Sequence, residues 1–155
     1  MRKSTDLVRT LSRHTLAYML CSISEMCRHY RDFDPLDLLI IHAILNANVI
    51  TVMRDLKLDK EFASIHAVEP DEIKQGVSRA ALSRFLSMPI ETIRRRVARL
   101  KKVGILSEGK GGLIVSQANQ FRFGNNHTLQ TINVVLVKKL LRDLKRAGIR
   151  GPDDL

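Results

Sequence analysis

Apolar residues recur at three- to five-residue spacing through Val8, Leu11, Leu16, Met19, Ile23, Met26 and Tyr30, which predicts a first helix over residues 5–31. Asp34-Pro35 then reads as an N-cap followed by proline at the first helical position. The run "PLDLLIIHAILNANVITVM" is so apolar that a second, buried helix is expected to about Arg54. Asp37, His42, Asn46 and Asn48 interrupt it, which argues against a membrane span. Residues 56–77 are polar and weakly periodic, so a mobile loop with a helical turn near "PDEIK" is expected. Ser78 can cap a short helix, "RAALSRFL", with Leu82, Phe85 and Leu86 as its seam. Pro89 opens another that runs to about Lys102 and stops at Gly104. "ILS", "EGKGG" and "LIVS" form an apolar–glycine–apolar unit, a β-hairpin signal. Asn125 or Asn126 can cap a last long helix that ends at Gly148. The pattern predicts a mainly α fold with one small β-hairpin.

Charge changes this picture in one region. The chain of 155 residues carries a formal net charge of +10, which favours polyanionic partners. Between Ser78 and Lys110 stand nine lysines and arginines against only Glu91 and Glu108, whereas residues 55–74 hold six acids against three lysines. On a helical wheel of residues 89–102, Ile93, Val97 and Leu100 form a seam with Ile90 at its margin. Arg95 falls nearly opposite, surrounded by Glu91, Ala98, Arg99 and Lys102, while Arg94 and Arg96 lie on the flanks. A helix with a narrow apolar seam and a broad cationic ridge suits the major groove of duplex DNA. Ridge arginines can reach base edges there, and flanking ones can reach phosphates.

The stretch "SRAALSRFLSMPIETIRRRVARLKKVGILSEGKGGLIVS" resembles the winged helix-turn-helix of bacterial transcriptional regulators of the MarR, GntR, IclR and Crp types. The features that carry the resemblance are Leu82, Leu86, Thr92-Ile93-Arg94, Val97, Leu100 and Gly104-Ile105-Leu106, within about 40 of the 155 residues. Ser83 stands where such helices commonly have a small alanine, and Ser87 replaces the turn glycine, so a left-handed backbone there is expected to be mildly strained. The resemblance implies a recognition helix at 89–102 and a wing at 107–112, within a DNA-binding region at 78–117. It implies base or backbone contacts from Thr92 and Arg94, with Ile90, Glu91 and Arg95 facing the groove. Ile90 could meet a thymine methyl and Glu91 a cytosine amine. Arg79, Arg84, Arg96, Arg99 and Lys110 would hold phosphates, with Lys102 beside them.

Regulators of this kind commonly bind two half-sites as dimers. The last helix (residues 125–150) is apolar on two faces, one with Leu129, Ile132, Leu136 and Leu140, the other with Val134, Val137, Leu141 and Leu144. Together with the N-terminal helices (1–54) it is expected to supply core and dimer interface, the acidic loop (55–77) lying between them and the DNA-binding region. Its basic end could also suit a membrane surface, but it lacks aromatic anchors.

Other chemistry is weakly represented. Cys21 and Cys27 cannot form a disulfide framework, which points to a reduced, cytoplasmic protein. The basic and apolar start resembles a targeting peptide only faintly, since Arg9, Arg13 and His14 interrupt it. The five histidines are scattered, so no metal or other cofactor is expected. "EGKGG" lacks phosphate-loop spacing, and no nucleophile–base pairing is visible, so an enzyme is not the expected reading. Whether a pocket near His42, Asn46 and Asn48 takes a small-molecule effector stays open. The expected function is that of a dimeric, sequence-specific double-stranded DNA-binding regulator. The alternatives are a plasmid or phage replication or partition factor, and a winged-helix protein-interaction module.

Overall fold

The computed structural model describes residues 7–155, so residues 5 and 6 of the expected first helix lie outside it. The chain is mainly helical, with one small antiparallel hairpin. In order it forms α1 (Val8–His29), α2 (Pro35–Asn48), α3 (Ile50–Arg54), α4 (Leu56–Glu61), α5 (Arg79–Leu86), α6 (Ile90–Lys102), β1 (Leu106–Gly109), β2 (Gly112–Val115), α7 (Gln117–Gln120) and α8 (His127–Arg146). Its contacts divide it into two units, Asp32–His127 on one side and the residues up to Arg31 with Thr128–Leu155 on the other. Among the described residues no helix is long and apolar enough to cross a membrane.

In the Asp32–His127 unit, α2 is the central element. Asp34 caps it, its side chain accepting from the Leu36 N–H at 2.8 Å. The helix buries Leu38, Ile40, Ile41, Ile44 and Leu45 and packs on α5, α6 and β2. Truncating any such side chain to alanine costs about 2–5 kcal/mol. α5 adds Leu82 and α6 adds Ile93, Val97 and Leu100, the seam expected from the wheel. The hairpin closes over them in the register Leu106↔Val115 to Gly109↔Gly112, burying Leu106, Leu113, Ile114 and Val115.

Three details depart from the sequence expectation. The helix expected to reach Arg54 breaks at Val49. At the break the Asn48 carbonyl accepts from the Gln75 N–H (3.1 Å), and its buried side chain bonds three more backbone groups: the carbonyls of Gln75 (2.9 Å) and Leu113 (3.1 Å) and the Val115 N–H (3.0 Å). Asn48 is thus committed to the fold and not to a pocket, and Asn46 beside it is exposed. The segment expected as a loop with a helical turn near "PDEIK" has that turn at Asp71–Ile73, but it opens with α4 and is hydrogen-bonded near both ends. Asp55 caps α4 through the N–H groups of Lys57 and Leu58, and buried Lys74 donates to Asp71 and to the Val115 carbonyl, both at 2.8 Å. Val77 then forms a bridge with Leu113, giving the hairpin a third, one-residue strand. Gly76 is obligatory beside it, because a Cβ would lie 2.3 Å from the Gly112 nitrogen.

In the other unit α1 and α8 run antiparallel, Tyr18 Oη donating to Asn133 Oδ1 at 2.7 Å. The groove between them is lined from α8 by Leu136, Lys139, Leu140 and Asp143. Neither helix has a buried residue. Gly148, at φ +91°, ends α8 as expected, with the Ile149 N–H returning to the Leu144 carbonyl at 2.9 Å.

Candidate nucleic-acid interface

α5 and α6 meet at a two-step turn whose geometry is set by Ser87. This residue is at φ 52°, ψ 41°, the left-handed conformation expected there, and no other non-glycine residue among those described has a positive φ. Ser78 caps α5 by accepting from the Ala81 N–H at 3.1 Å. Ser83, in the position of the small alanine, donates its hydroxyl to the Met88 carbonyl at 2.6 Å and so fastens the turn. Phe85 does not join the seam; it is 72% exposed. The inward arc of this eight-residue helix is centred on Leu82 and Leu86, with Ser83 beside them, and Phe85 falls off its edge.

The cations of this region fall into three groups. Arg84, Arg95, Lys102 and Lys110 are exposed and make no ion pair among the described residues. Arg95 projects from α6 on the side away from its buried seam, and Lys110 stands at the hairpin tip between β1 and β2. Arg79, Arg94 and Lys101 have exposed carboxylate partners. Arg94 donates to Glu91 one turn earlier, while Arg79 (2.9 Å) and Lys101 (3.1 Å) share Glu108. Hydrogen bonds from Arg79 and Lys101 hold the Glu108 carboxyl below its ordinary value of 4.5.

The third group is engaged by carboxylates at the start of α2. Arg96, expected on a phosphate, is only 15% exposed and donates to Asp37 at 2.9 Å and Asp34 at 3.1 Å. Its flank of α6 faces the first turn of α2, where the two acids sit. The bond to Asp37 raises the Arg96 pKa above its already high value. The Leu36 N–H, and then Arg96, lower that of Asp34. Arg99, 58% exposed, also donates to Asp37, which is itself buried. The remaining candidates, Ile90 and Thr92, are half-buried at the start of α6, and Glu91 is exposed beside them.

Asp34, Asp37 and Glu108 were not legible as part of this surface. The only signal was a pair of acids opening an otherwise apolar helix. Among the described residues no group of three or more His, Cys, Asp or Glu side chains could hold a metal ion, and His42 is half-buried with its Nδ1 2.7 Å from the Leu38 carbonyl. Burial lowers the His42 pKa. Of the expected dimerisation residues, Leu136 and Leu140 line the groove with α1 of the same chain, Leu129, Ile132 and Leu144 are half-buried, and Leu141 is 60% exposed. Compared with known proteins, the chain matches no family model, no curated protein and no solved structure.

Proposed function

We propose that the protein is a sequence-specific double-stranded DNA-binding regulator that acts as a dimer, with α6 as its recognition helix in the major groove and the hairpin tip on the backbone or in the minor groove. One observation carries the reading. α6 buries Ile93, Val97 and Leu100 on one side and presents an unpaired Arg95 on the other, directly after a tight helix–helix turn. An arginine in that position can form a bidentate pair with guanine O6 and N7. Arg84, Lys102 and Lys110 are available for phosphates around it. The resemblance of residues 78–117 to winged helix-turn-helix regulators supports the same assignment.

The test is binding to random and to selected duplex DNA across a salt series, with wild type and Arg95→Ala. A specific reader loses affinity steeply with salt, by about 0.9 in the log–log slope per neutralised phosphate. Arg95→Ala should weaken the preferred sequence by about 1–3 kcal/mol and reduce binding to random duplex far less. Absence of binding at low salt sinks the proposal. A second reading, a protein-interaction module, is favoured by the exposure of Phe85. It predicts that Phe85→Ala abolishes partner capture while Arg95→Ala leaves it intact.

A further inference from the structure

Of the six cations on α6, two are held by a carboxylate that is itself buried. Asp37 has a side-chain exposure of 6% and accepts from Arg96 through Oδ1 and from Arg99 through Oδ2. Both arginines lie on the flank of α6 that faces α2, three residues apart and therefore on one side of the helix. The contrast with Glu91 matters. Glu91 is 76% exposed, and a pair in that setting is worth little and can exchange Arg94 for a phosphate. A buried carboxylate stripped of its partners is strongly disfavoured, so Asp37 does not release both arginines easily.

From this geometry we propose that Asp37 is a specificity-determining positioning residue of the DNA surface: it withholds Arg96 and Arg99 from phosphates and fixes the roll of α6 that turns Arg95 toward base edges. The inference rests on the DNA-binding reading above. Its physical basis is the difference between the two modes of binding. Affinity for arbitrary duplex is almost wholly phosphate neutralisation, so every cation kept back weakens the competing, sequence-independent mode. Base readout through Arg95 is untouched by that withdrawal and gains from a fixed helix roll. Specificity is the difference of the two affinities. Arg99 makes the point most directly, because it is 58% exposed and sits beside Arg95 yet points its guanidinium back at Asp37.

The experiment measures salt dependence on a random-sequence duplex, and the ratio of affinities for selected over random duplex. It compares wild type, Asp37→Asn, Arg99→Gln and the double variant. Asp37→Asn keeps the size of the side chain and an acceptor oxygen but removes the charge. Asp34 still neighbours Arg96, so one to two cations are released. The slope on random duplex should then steepen by about 0.9–1.8 per protomer, binding to it should strengthen at low salt, and the selected-over-random ratio should fall. Arg99→Gln alone should leave the slope unchanged, whereas in the Asp37→Asn background it should remove about 0.9 of the gain. A purely structural Asp37 would lower the unfolding midpoint without that cycle. Unchanged slope and ratio in folded Asp37→Asn overturn the proposal. So does a loss of about 0.9 from Arg99→Gln in the wild-type background, and this arm decides the matter even where Asp37→Asn does not fold. If wild type binds no duplex at low salt, the DNA reading itself has failed and this inference falls with it.

Discussion

Ser87 holds the α5–α6 turn at φ 52° although its side chain disfavours that conformation. For an L-residue the left-handed region costs about 1–2 kcal/mol, which glycine avoids while losing about 0.5–1 kcal/mol through its greater freedom when unfolded. Ser87 is exposed and its side chain has no hydrogen bond among the described residues, so the turn is held by the Met88 N–H on the Ser83 carbonyl and by the Ser83 hydroxyl, bonds that a glycine at 87 would keep. Ser87→Gly should therefore raise the stability of the Asp32–His127 unit by about 0.5–1 kcal/mol, read as a higher urea midpoint with unchanged slope. A decrease would mean that the serine hydroxyl makes a contact in solution that outweighs the backbone term. The strain was legible because it depends on one residue at a turn bounded by two helix signals. Asn48 and Asp37 were not legible in the same way. Each is a polar residue in an apolar run, and what it binds lies far along the chain: Leu113 and Val115 for Asn48, Arg96 and Arg99 for Asp37. A local pattern shows that such a residue needs a partner but cannot name it.

At the level of elements, those with local punctuation were readable: α5 with its Ser78 cap, α6 with its period, the hairpin with its glycines and α8 with Gly148. The one-residue strand at Val77 carries no period at all and exists only through its bridge to Leu113. The break at Val49 falls where Asn48 bonds Gln75 and the hairpin, partners that the apolar run does not announce. Glu108 links three of these elements, since β1 carries it and α5 and α6 supply its partners Arg79 and Lys101. Its folded pKa lies below 4.5, so its contribution to stability is present above that value and is lost as pH falls through the folded one. Glu108→Gln should accordingly lower the urea midpoint at neutral pH and converge with wild type in acid. Carboxyl NMR should find Glu108 titrating below 4.5. A Glu108 that titrates at or above its ordinary value would show that the clasp is open in solution.

For the whole molecule, the unit made by α1 and α8 is the part least explained by a single chain. Two helices of 22 and 20 residues bury no side chain between them. On α1, Leu16, Met19, Leu20 and Ile23 recur at helical spacing opposite the face turned to α8, and each is 49–58% exposed. That stripe has the form of one side of a helix–helix seam. The flanking charges bear on its direction. Arg9 and Arg13 precede it and residues 15–24 carry no charge, so an antiparallel pairing of two copies separates the arginines whereas a parallel one opposes them. The dimer expected for a reader of two half-sites should therefore form through α1, with α8 as its support. Leu16→Glu together with Leu20→Glu, which sets like charges against each other across the seam, should give a monomer at micromolar concentration in sedimentation. It should retain the unfolding midpoint of the Asp32–His127 unit and weaken binding to a two-half-site duplex much more than binding to a single half-site. A protein that stays dimeric with α1 so altered would move the interface to Val134 and Leu141 of α8, which are 50% and 60% exposed. A wild type that sediments as a monomer would leave recognition to one copy of α6, and its preferred site would then lack two-fold symmetry.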